Sequence, residues 1–443
     1  MSGEELRGAP AEARAGDYVF LGFVTLLNVL NFVDRQLLAS FANFIVPDLK
    51  LTNAEFGLLT GFAFIVFYAA MGLFMGVLAD RLHRPRLIAA GLALWSVLTA
   101  ASGAARGFVS LAIPRMLIGV GESALSPSAI SMLADRFPAG RLGFASGVYY
   151  MGVPIGVGVS LLVAGYLGPA IGWRNCFYVL GAVGIALALA MVFVPETERR
   201  RARSERLRSR SGGIETSVTL RGSVAVLGRA LATSPALSLT IAGGVALHFI
   251  LGAAAFEQLW FVQERGFERG EIARLTGYIG IVAGILGNLV GGAGSDWFQK
   301  RTGAGRPVFL VIVMLATTPF TLAYRLVPPD SFWFVLGIFL GYFQLGTFYG
   351  PTFSTVQELV PPQIRATVIA FYILMLNLVG LGVGITLGGY TIDWLIAGGV
   401  EAPYTWTLFG FGILSAVSIP LFYFAGRRYA LDRARLFAAE SPS

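Results

Sequence analysis

Charge is scarce in this sequence. Only 13% of its 443 residues are Asp, Glu, Lys or Arg, against about 25% in a soluble domain, so an ordinary soluble fold is excluded. Cysteine is nearly absent. Cys176 stands alone, so no intrachain disulfide can form, and a small apolar filler suits it better than redox chemistry. The two histidines, His83 and His248, are far apart and without companion ligands. That leaves no cluster for a metal ion or for acyl transfer, and neither a cofactor nor an enzymatic activity is expected. The first seventeen residues are polar and run into a full-length apolar segment, so no cleavable signal peptide is expected.

Apolar residues are what the chain has in abundance: 56% are hydrophobic. Apolar runs recur from Tyr18 almost to the C-terminus, each close to the ~20 residues that cross a ~30 Å hydrocarbon layer as a helix. About twelve spans are expected, from Val19–Phe41 at one end to Tyr404–Ala425 at the other. Placing both termini in the cytoplasm puts most Arg and Lys residues in inside loops, and the reverse orientation would invert that bias. The largest basic cluster is Arg199, Arg200, Arg201, Arg203, Arg206, Arg208 and Arg210, read as a solvated linker near anionic headgroups. The net charge of +8 is thus a matter of membrane topology, and no nucleic-acid partner is expected. The expected divisions are a cytoplasmic tail (1–18), a six-helix bundle (19–196), a basic linker (197–235), a second six-helix bundle (236–426) and a cytoplasmic tail (427–443).

The halves repeat one another. Pro127, Pro138, Arg141, Gly156, Gly158, Gly165 and Tyr166 recur about 224 residues later as Pro351, Pro362, Arg365, Gly380, Gly382, Gly389 and Tyr390. Gly76-Val-Leu-Ala-Asp80 recurs as Gly292-Ala-Gly-Ser-Asp296. Two duplicated six-span halves are what a rocking transporter needs, with cargo held near mid-membrane.

Four ionisable residues fall inside apolar stretches: Asp34 and Arg35 in the first span, Arg115 and Glu122 in the fourth. Each costs about 2.5–3.5 kcal/mol on insertion scales, so such charges mark function or a specific pairing. At 1.5 Å per residue, Asp34 lies roughly 22 Å from the inner face and Arg115 roughly 10 Å below the outer one, nearly the same depth. Asp34 and Arg115 are therefore expected to pair. Glu122, seven residues after Arg115, lies on the same helix face and nearer the membrane centre. Glu122 and Asp34 are the proton-exchange candidates, and Arg115 is the candidate for an anionic substrate group. The rival reading is a structural ion pair.

At the repeat positions of Arg115 and Glu122 the second half has Phe339 and Gly346. Its facing wall is expected to be apolar, with Phe339, Tyr342, Phe343 and Phe348, and with Gln344 and Asn377 as sparse polar points. Glu257 falls near the repeat position of Asp34, with His248 two to three turns before it. One charged and one apolar wall suit an amphipathic cargo. The expected substrate contacts are Arg35, Arg115, Glu122, Tyr149, Phe339, Phe343 and Asn377. Ordinary helix packing also uses Phe freely. Gating is expected from the turn Gly76-Val-Leu-Ala-Asp80-Arg81-Leu-His83-Arg84-Pro-Arg86, with Arg84 pairing with Asp135, and from Asp296 in the second half. The helix from Gly152-Val-Pro154-Ile-Gly156-Val-Gly158 is expected to bend and to pack closely.

In these residues the chain resembles the major facilitator superfamily, over about residues 18–425. The loop from Gly76 to Arg86, its weaker echo from Gly292 and the Gly-Pro-Gly helix carry the resemblance. Within it, Asn31-Phe-Val-Asp34-Arg35, Arg115-Met-Leu-Ile-Gly119-Val-Gly121-Glu122 and Gly152-Val-Pro-Ile-Gly156 resemble bacterial members of the spinster family. That resemblance implies an all-α major facilitator fold of twelve transmembrane helices in two pseudo-symmetric bundles. It also implies an amphipathic anionic or zwitterionic lipid cargo, such as a lysophospholipid or sphingosine 1-phosphate, and proton coupling. Asp34 and Glu122 match the family's membrane acids, Arg35 and Arg115 its basic positions, and Asp80 and Arg84 its gate loop. The Asn-x-x-Asp-Arg and Arg-x-x-x-Gly-x-x-Glu patterns also resemble the anion:cation symporters for sugar acids, which makes a small organic anion the alternative cargo. Asp296 is followed by Trp297-Phe298 instead of Arg, so a weaker gate is expected there. The protein is expected to be a monomer in the bacterial inner membrane, surrounded by membrane lipids.

Overall fold

The computed structural model describes residues 13–197, 220–361 and 364–440. The arginines from Arg199 to Arg210 and the repeat residue Pro362 lie outside them, as do most of the N-terminal tail and the last three residues. The side chains at Gly76, Asp80 and Arg81 are likewise outside the described set. Among the described residues every regular element is a helix, and eleven helices are long and apolar enough to cross a membrane. One of these runs 52 residues, Arg141–Val192. Gly172 interrupts it at φ 79°, a conformation open to glycine and costly for other residues. The segments on either side are each long enough to span.

The chain forms two compact units. The first comprises Met1–Ile45 and Ala63–Thr216, the second Val46–Phe62 and Ser217–Ser443. Residues 46–62, which follow the first span in sequence, thus group with the second unit.

The first unit contains α1 (Ala15–Ser40), most of α4 (Phe62–Arg81), α5 (Arg84–Gly103), α6 (Phe108–Glu122), α7 (Leu125–Arg136), α8 (Ala139–Tyr150) and α9 (Gly152–Val192). Helix α1 carries its buried residues at helical spacing, Val24, Leu27, Asn28, Asn31 and Asp34 among them. It turns Leu26 outward. Apolar residues alone do not hold helices together in lipid, so close contact falls to small residues. A Cβ at Gly156 would sit 2.5 Å from the Val29 carbonyl oxygen, and one at Gly152 would sit 2.9 Å from the Asn28 amide. Both glycines therefore let α9 lie against the α1 backbone. Ser160 adds a hydrogen bond to the Val33 carbonyl at 3.0 Å. Helices α8 and α9 meet at Met151, whose φ of −60° and ψ of −21° stay helical, three residues before Pro154, which has no N–H for the preceding turn.

The second unit contains α2 (Ala42–Asp48) in part, α3 (Asn53–Thr60), α10 (Leu220–Thr233), α11 (Pro235–Ala253), α12 (Glu257–Gln263), α13 (Arg269–Leu289), α14 (Ser295–Thr302), α15 (Arg306–Ala323), α16 (Phe332–Glu358), α17 (Arg365–Met375), α18 (Val383–Ala397), α19 (Pro403–Ser415) and α20 (Ser418–Glu440). Two π-helical turns, Val290–Gly294 and Leu376–Gly382, interrupt its helices. Its core gathers Leu237, Leu310, Met314, Phe348, Tyr372 and Phe422.

Candidate functional site

All four charged residues of the first and fourth spans are in the first unit, and three are almost fully buried: Asp34 is 3% exposed, Arg115 4% and Glu122 1%. Helix α6, which carries Arg115 and Glu122, packs against α4 and α5 at glycines. A Cβ at Gly119 would meet the Phe64 carbonyl oxygen at 2.8 Å, and Gly91 and Gly121 each face the other's carbonyl oxygen. Glu122 is the last residue of α6, where the fourth span breaks before α7.

Arg35 Nε donates to Glu122 Oε2 at 2.8 Å. The Arg35 guanidinium also lies 4.0 Å from the Tyr68 ring centre and 5.2 Å from that of Phe64, so aromatic faces replace water around it. The Arg115 guanidinium also lies over Phe64, 4.6 Å from its centroid. It donates from Nη1 to the Asp34 carbonyl at 3.2 Å and from Nη2 to the Arg35 carbonyl at 2.8 Å.

Helix rise puts Arg115 level with Asp34, and the guanidinium does reach that turn. The expected pairing with the Asp34 carboxylate does not form. Successive helix residues point about 100° apart, so Arg35 turns toward Glu122 while the Asp34 carboxyl faces Trp95 and Thr99 of α5. The ion pair is Arg35–Glu122, and Arg115 holds main-chain oxygens. Several buried polar atoms remain without a hydrogen-bond partner: Asp34 Oδ1, Glu122 Oε1, Arg115 Nε and Asn31 Nδ2. Tyr149 is fully buried in the same unit, its hydroxyl 3.2 Å from Ser126 Oγ.

The second unit corrects the expectation of a wall without a cation. Glu257 Oε1 accepts from Arg325 Nη2 at 2.9 Å and from the Tyr324 hydroxyl at 3.1 Å. Arg325 is 4% exposed. In sequence it stands at the end of the ninth apolar run and reads as a boundary residue. Glu257, like Glu122, stands at a break, following a 3-10 turn at Ala254–Phe256. Phe339 and Phe343 are stacked, centroids 6.3 Å apart at 13°. Asn377 donates to the Ile373 carbonyl at 2.8 Å, Gln344 is engaged by Thr317 at 3.1 Å, and His248 Nδ1 is 2.8 Å from the Gly244 carbonyl, its ring against Phe348.

Of the residues expected to form the gate, Arg84 and Asp135 meet in a buried knot of the first unit. Arg84, 2% exposed, donates to Asp135 at 2.6 Å, as expected, and also to Glu196 at 2.8 Å, Thr197 at 2.6 Å and Ser131 at 2.7 Å. Burial raises the Glu196 carboxyl, but the hydrogen bonds from Arg84 and from the Thr197 main chain outweigh it and hold the group below the ordinary carboxylate value. In the second unit Arg306 donates to Asp296 and to Glu358, both at 2.7 Å, and the Tyr429 hydroxyl also bonds Glu358.

One cluster has no sequence forerunner. Asp393 accepts from Asn53 N at 3.1 Å, Asn53 Nδ2 at 2.9 Å and Ala54 N at 2.8 Å, so it caps α3 where that helix's own N–H groups lack partners. The Tyr404 hydroxyl donates to Asn53 Oδ1 at 2.8 Å, and Glu264 accepts from Tyr404 N at 2.7 Å and Thr405 N at 2.8 Å.

Comparison with known proteins agrees with this architecture. The profile of the Major Facilitator Superfamily matches residues 24–381. An MFS-type efflux pump of Mycolicibacterium smegmatis is 28% identical over 93% of each chain. The hexuronate transporter of Bacillus subtilis is 28% identical over 85% of this chain and 90% of its own. Protein spinster of Drosophila melanogaster is 26% identical over 80% of this chain and 58% of its own. In fold, the chain is similar to the crystal structure of a bacterial homologue of the human lysosomal transporter Spinster in an inward-facing, occupied conformation. The TM-score is 0.76 and the identity 23%, over 94% of this chain and 98% of that one.

Proposed function

We propose, from the premise that the chain belongs to the major facilitator superfamily and is an integral membrane transporter and not an enzyme, that it is a proton-coupled secondary transporter of a single-tailed anionic or zwitterionic lipid. The observation that carries the reading is the Arg35–Glu122 ion pair, with both partners deep in the first unit and Glu122 Oε1 left without a partner. While Glu122 is ionised, Arg35 is committed to it. A proton on Glu122 removes the charge that holds Arg35 and frees the guanidinium for an anionic head group, with Arg115 beside it. Proton and cargo then alternate at one place, and twelve crossings in two repeats supply alternating access. The stacked Phe339 and Phe343 are the apolar contacts assigned to the tail. Asp34 is the second proton site. Arg84 with Asp135, and Arg306 with Asp296, serve as the gate contacts. The protein works as a monomer in the bacterial inner membrane, both termini cytoplasmic.

A second reading is symport of a small organic anion. The similarity to a hexuronate transporter favours it, and so does Arg325, a second buried cation. Arg325 is already neutralised by Glu257, which is why the lipid reading is preferred. Proteoliposomes separate the two: lysophospholipids, sphingoid phosphates and sugar acids compete for uptake, with and without a proton gradient. Displacement by the lipids, steepened by the gradient, is expected. Displacement by sugar acids alone overturns the lipid reading.

A further inference from the structure

The Asp34 carboxyl is the one acid of the charged cluster that the ion pairing leaves unused, and the space beside it has a definite shape. A cavity with about 10 Å³ for the centre of a water molecule is lined by Asp34, Thr99, Ser102, Arg115 and Phe177, among others. That is room for one water, which needs two to four polar partners. The walls offer four. Asp34 Oδ1, Thr99 Oγ1 and Arg115 Nε are all buried without a hydrogen-bond partner. The Ser102 hydroxyl gives its proton to the Leu98 carbonyl at 2.9 Å, which leaves its oxygen free to accept. Arg115 Nε and the Thr99 hydroxyl can donate to one water, and Asp34 Oδ1 and Ser102 Oγ can accept from it. Trp95, Thr99 and Ser102 stand at i, i+4 and i+7 of α5, on one helix face. Ser102 is in its last turn.

We propose that this cavity binds a single bridging water, and that Thr99 and Ser102 use it to pass protons between Asp34 and the C-terminal end of α5. A proton arriving on the Ser102 side joins the water oxygen while another proton leaves that water for Asp34 Oδ1. The water is unchanged and the carboxyl gains one proton. The Thr99 hydroxyl turns from donor to acceptor as this happens, and the reverse sequence discharges Asp34. The charged groups facing the carboxyl are Arg115 and Glu122 of α6 and Arg35 on its own helix. Helix α5 presents Trp95 and Thr99, and α9 presents Phe177 to the cavity; none of these titrates.

This proposal rests on the proton-coupled reading, and the test keeps the two apart. Thr99→Val keeps the shape and removes the hydroxyl, while Thr99→Ser restores it. Three readouts are taken in proteoliposomes: uptake driven by a proton gradient, counterflow exchange of cargo at equal pH, and the infrared water band shifted by H₂¹⁸O on titration of the protein. In Thr99→Val, gradient-driven uptake is expected to fall roughly tenfold or more, counterflow to persist and the water band to vanish, with all three near normal in Thr99→Ser. Gradient-driven uptake and a water band in Thr99→Val equal to those of the unmodified protein overturn the proposal. So does joint loss of uptake and counterflow that Thr99→Ser does not rescue, which would make Thr99 a packing residue. If the unmodified protein shows no gradient-driven uptake, the parent reading fails and the relay with it, while the water band still decides whether the site exists.

Discussion

The two units are alike at one level and unlike at another. Each places an arginine in the first turn of a helix that follows the repeated glycine–aspartate loop, Arg84 in one and Arg306 in the other. Each binds that arginine to an acid at the end of a neighbouring helix, Asp135 or Glu358. In the membrane-buried centres the repeat no longer holds. The first unit has Arg35 on Glu122 and Arg115 on main-chain oxygens. The second has Phe339 and Gly346 at the corresponding positions, and its ion pair, Glu257–Arg325, is made from residues that do not correspond to them. A duplicated frame was kept where helix ends are tied together, and the halves diverged in their buried charged centres.

Breaking this comparison at its strongest point means neutralising one central acid in each unit. Glu122→Gln is expected to abolish the dependence of uptake on a pH gradient. Glu257→Gln is expected to leave that dependence in place, because its partner Tyr324 still bonds the amide oxygen. Gradient-dependent uptake in proteoliposomes reads both. Equal loss in the two variants would make the centres functionally symmetric.

Stability sharpens the same contrast. Arg35→Ala leaves Glu122, whose side chain is fully buried, without its cation, and removing one partner of a buried pair costs about 3–5 kcal/mol. Arg325→Ala leaves Glu257, whose side chain is 18% exposed, with the Tyr324 hydroxyl still donating, so about 1–3 kcal/mol is expected. Unfolding in detergent should order the variants this way. Adding Glu122→Gln to Arg35→Ala should recover stability without recovering proton-driven uptake.

At the two arginine knots the expected difference is smaller. The Arg84 side chain bonds four partners at 2% exposure; that of Arg306 bonds two at 12%. Arg84→Ala should therefore lower the melting temperature more than Arg306→Ala, by about 2 kcal/mol when converted to free energy. A larger loss in Arg306→Ala would show that the second knot, and not the first, is the stronger tie.

Much of this was legible in the sequence. Apolar runs gave the spans, the recurrence of proline and glycine gave the repeat, and helix rise put Arg115 at the depth of Asp34. Rise fixes depth but not azimuth, so Asp34 was paired with Arg115, where the structure pairs Arg35 with Glu122. Arg325 was missed because an arginine closing an apolar run reads as a snorkelling boundary residue. The Asn53–Asp393 cap joins residues 340 apart, and no periodicity connects them. The break at Gly172 is a backbone event that hydropathy does not register.

The finest test of the comparison is its pH dependence outside the membrane. Glu196 lies beyond the last residue of the 52-residue helix. Its carboxyl is pulled below the ordinary value by the hydrogen bonds of Arg84 and Thr197 despite its burial. A depressed folded-state value means the unfolded chain binds the proton more readily. The bonds to Glu196 therefore stabilise the protein fully above the ordinary carboxylate range, and that contribution is lost as pH falls through the lower, folded-state value. A melting curve followed from neutral pH into acid should fall less steeply in Glu196→Gln than in the unmodified protein, from a lower starting point. Parallel curves would mean that the Arg84 knot draws its strength from Asp135 and the hydroxyls alone, and so differs from the Arg306 knot, which two acids hold.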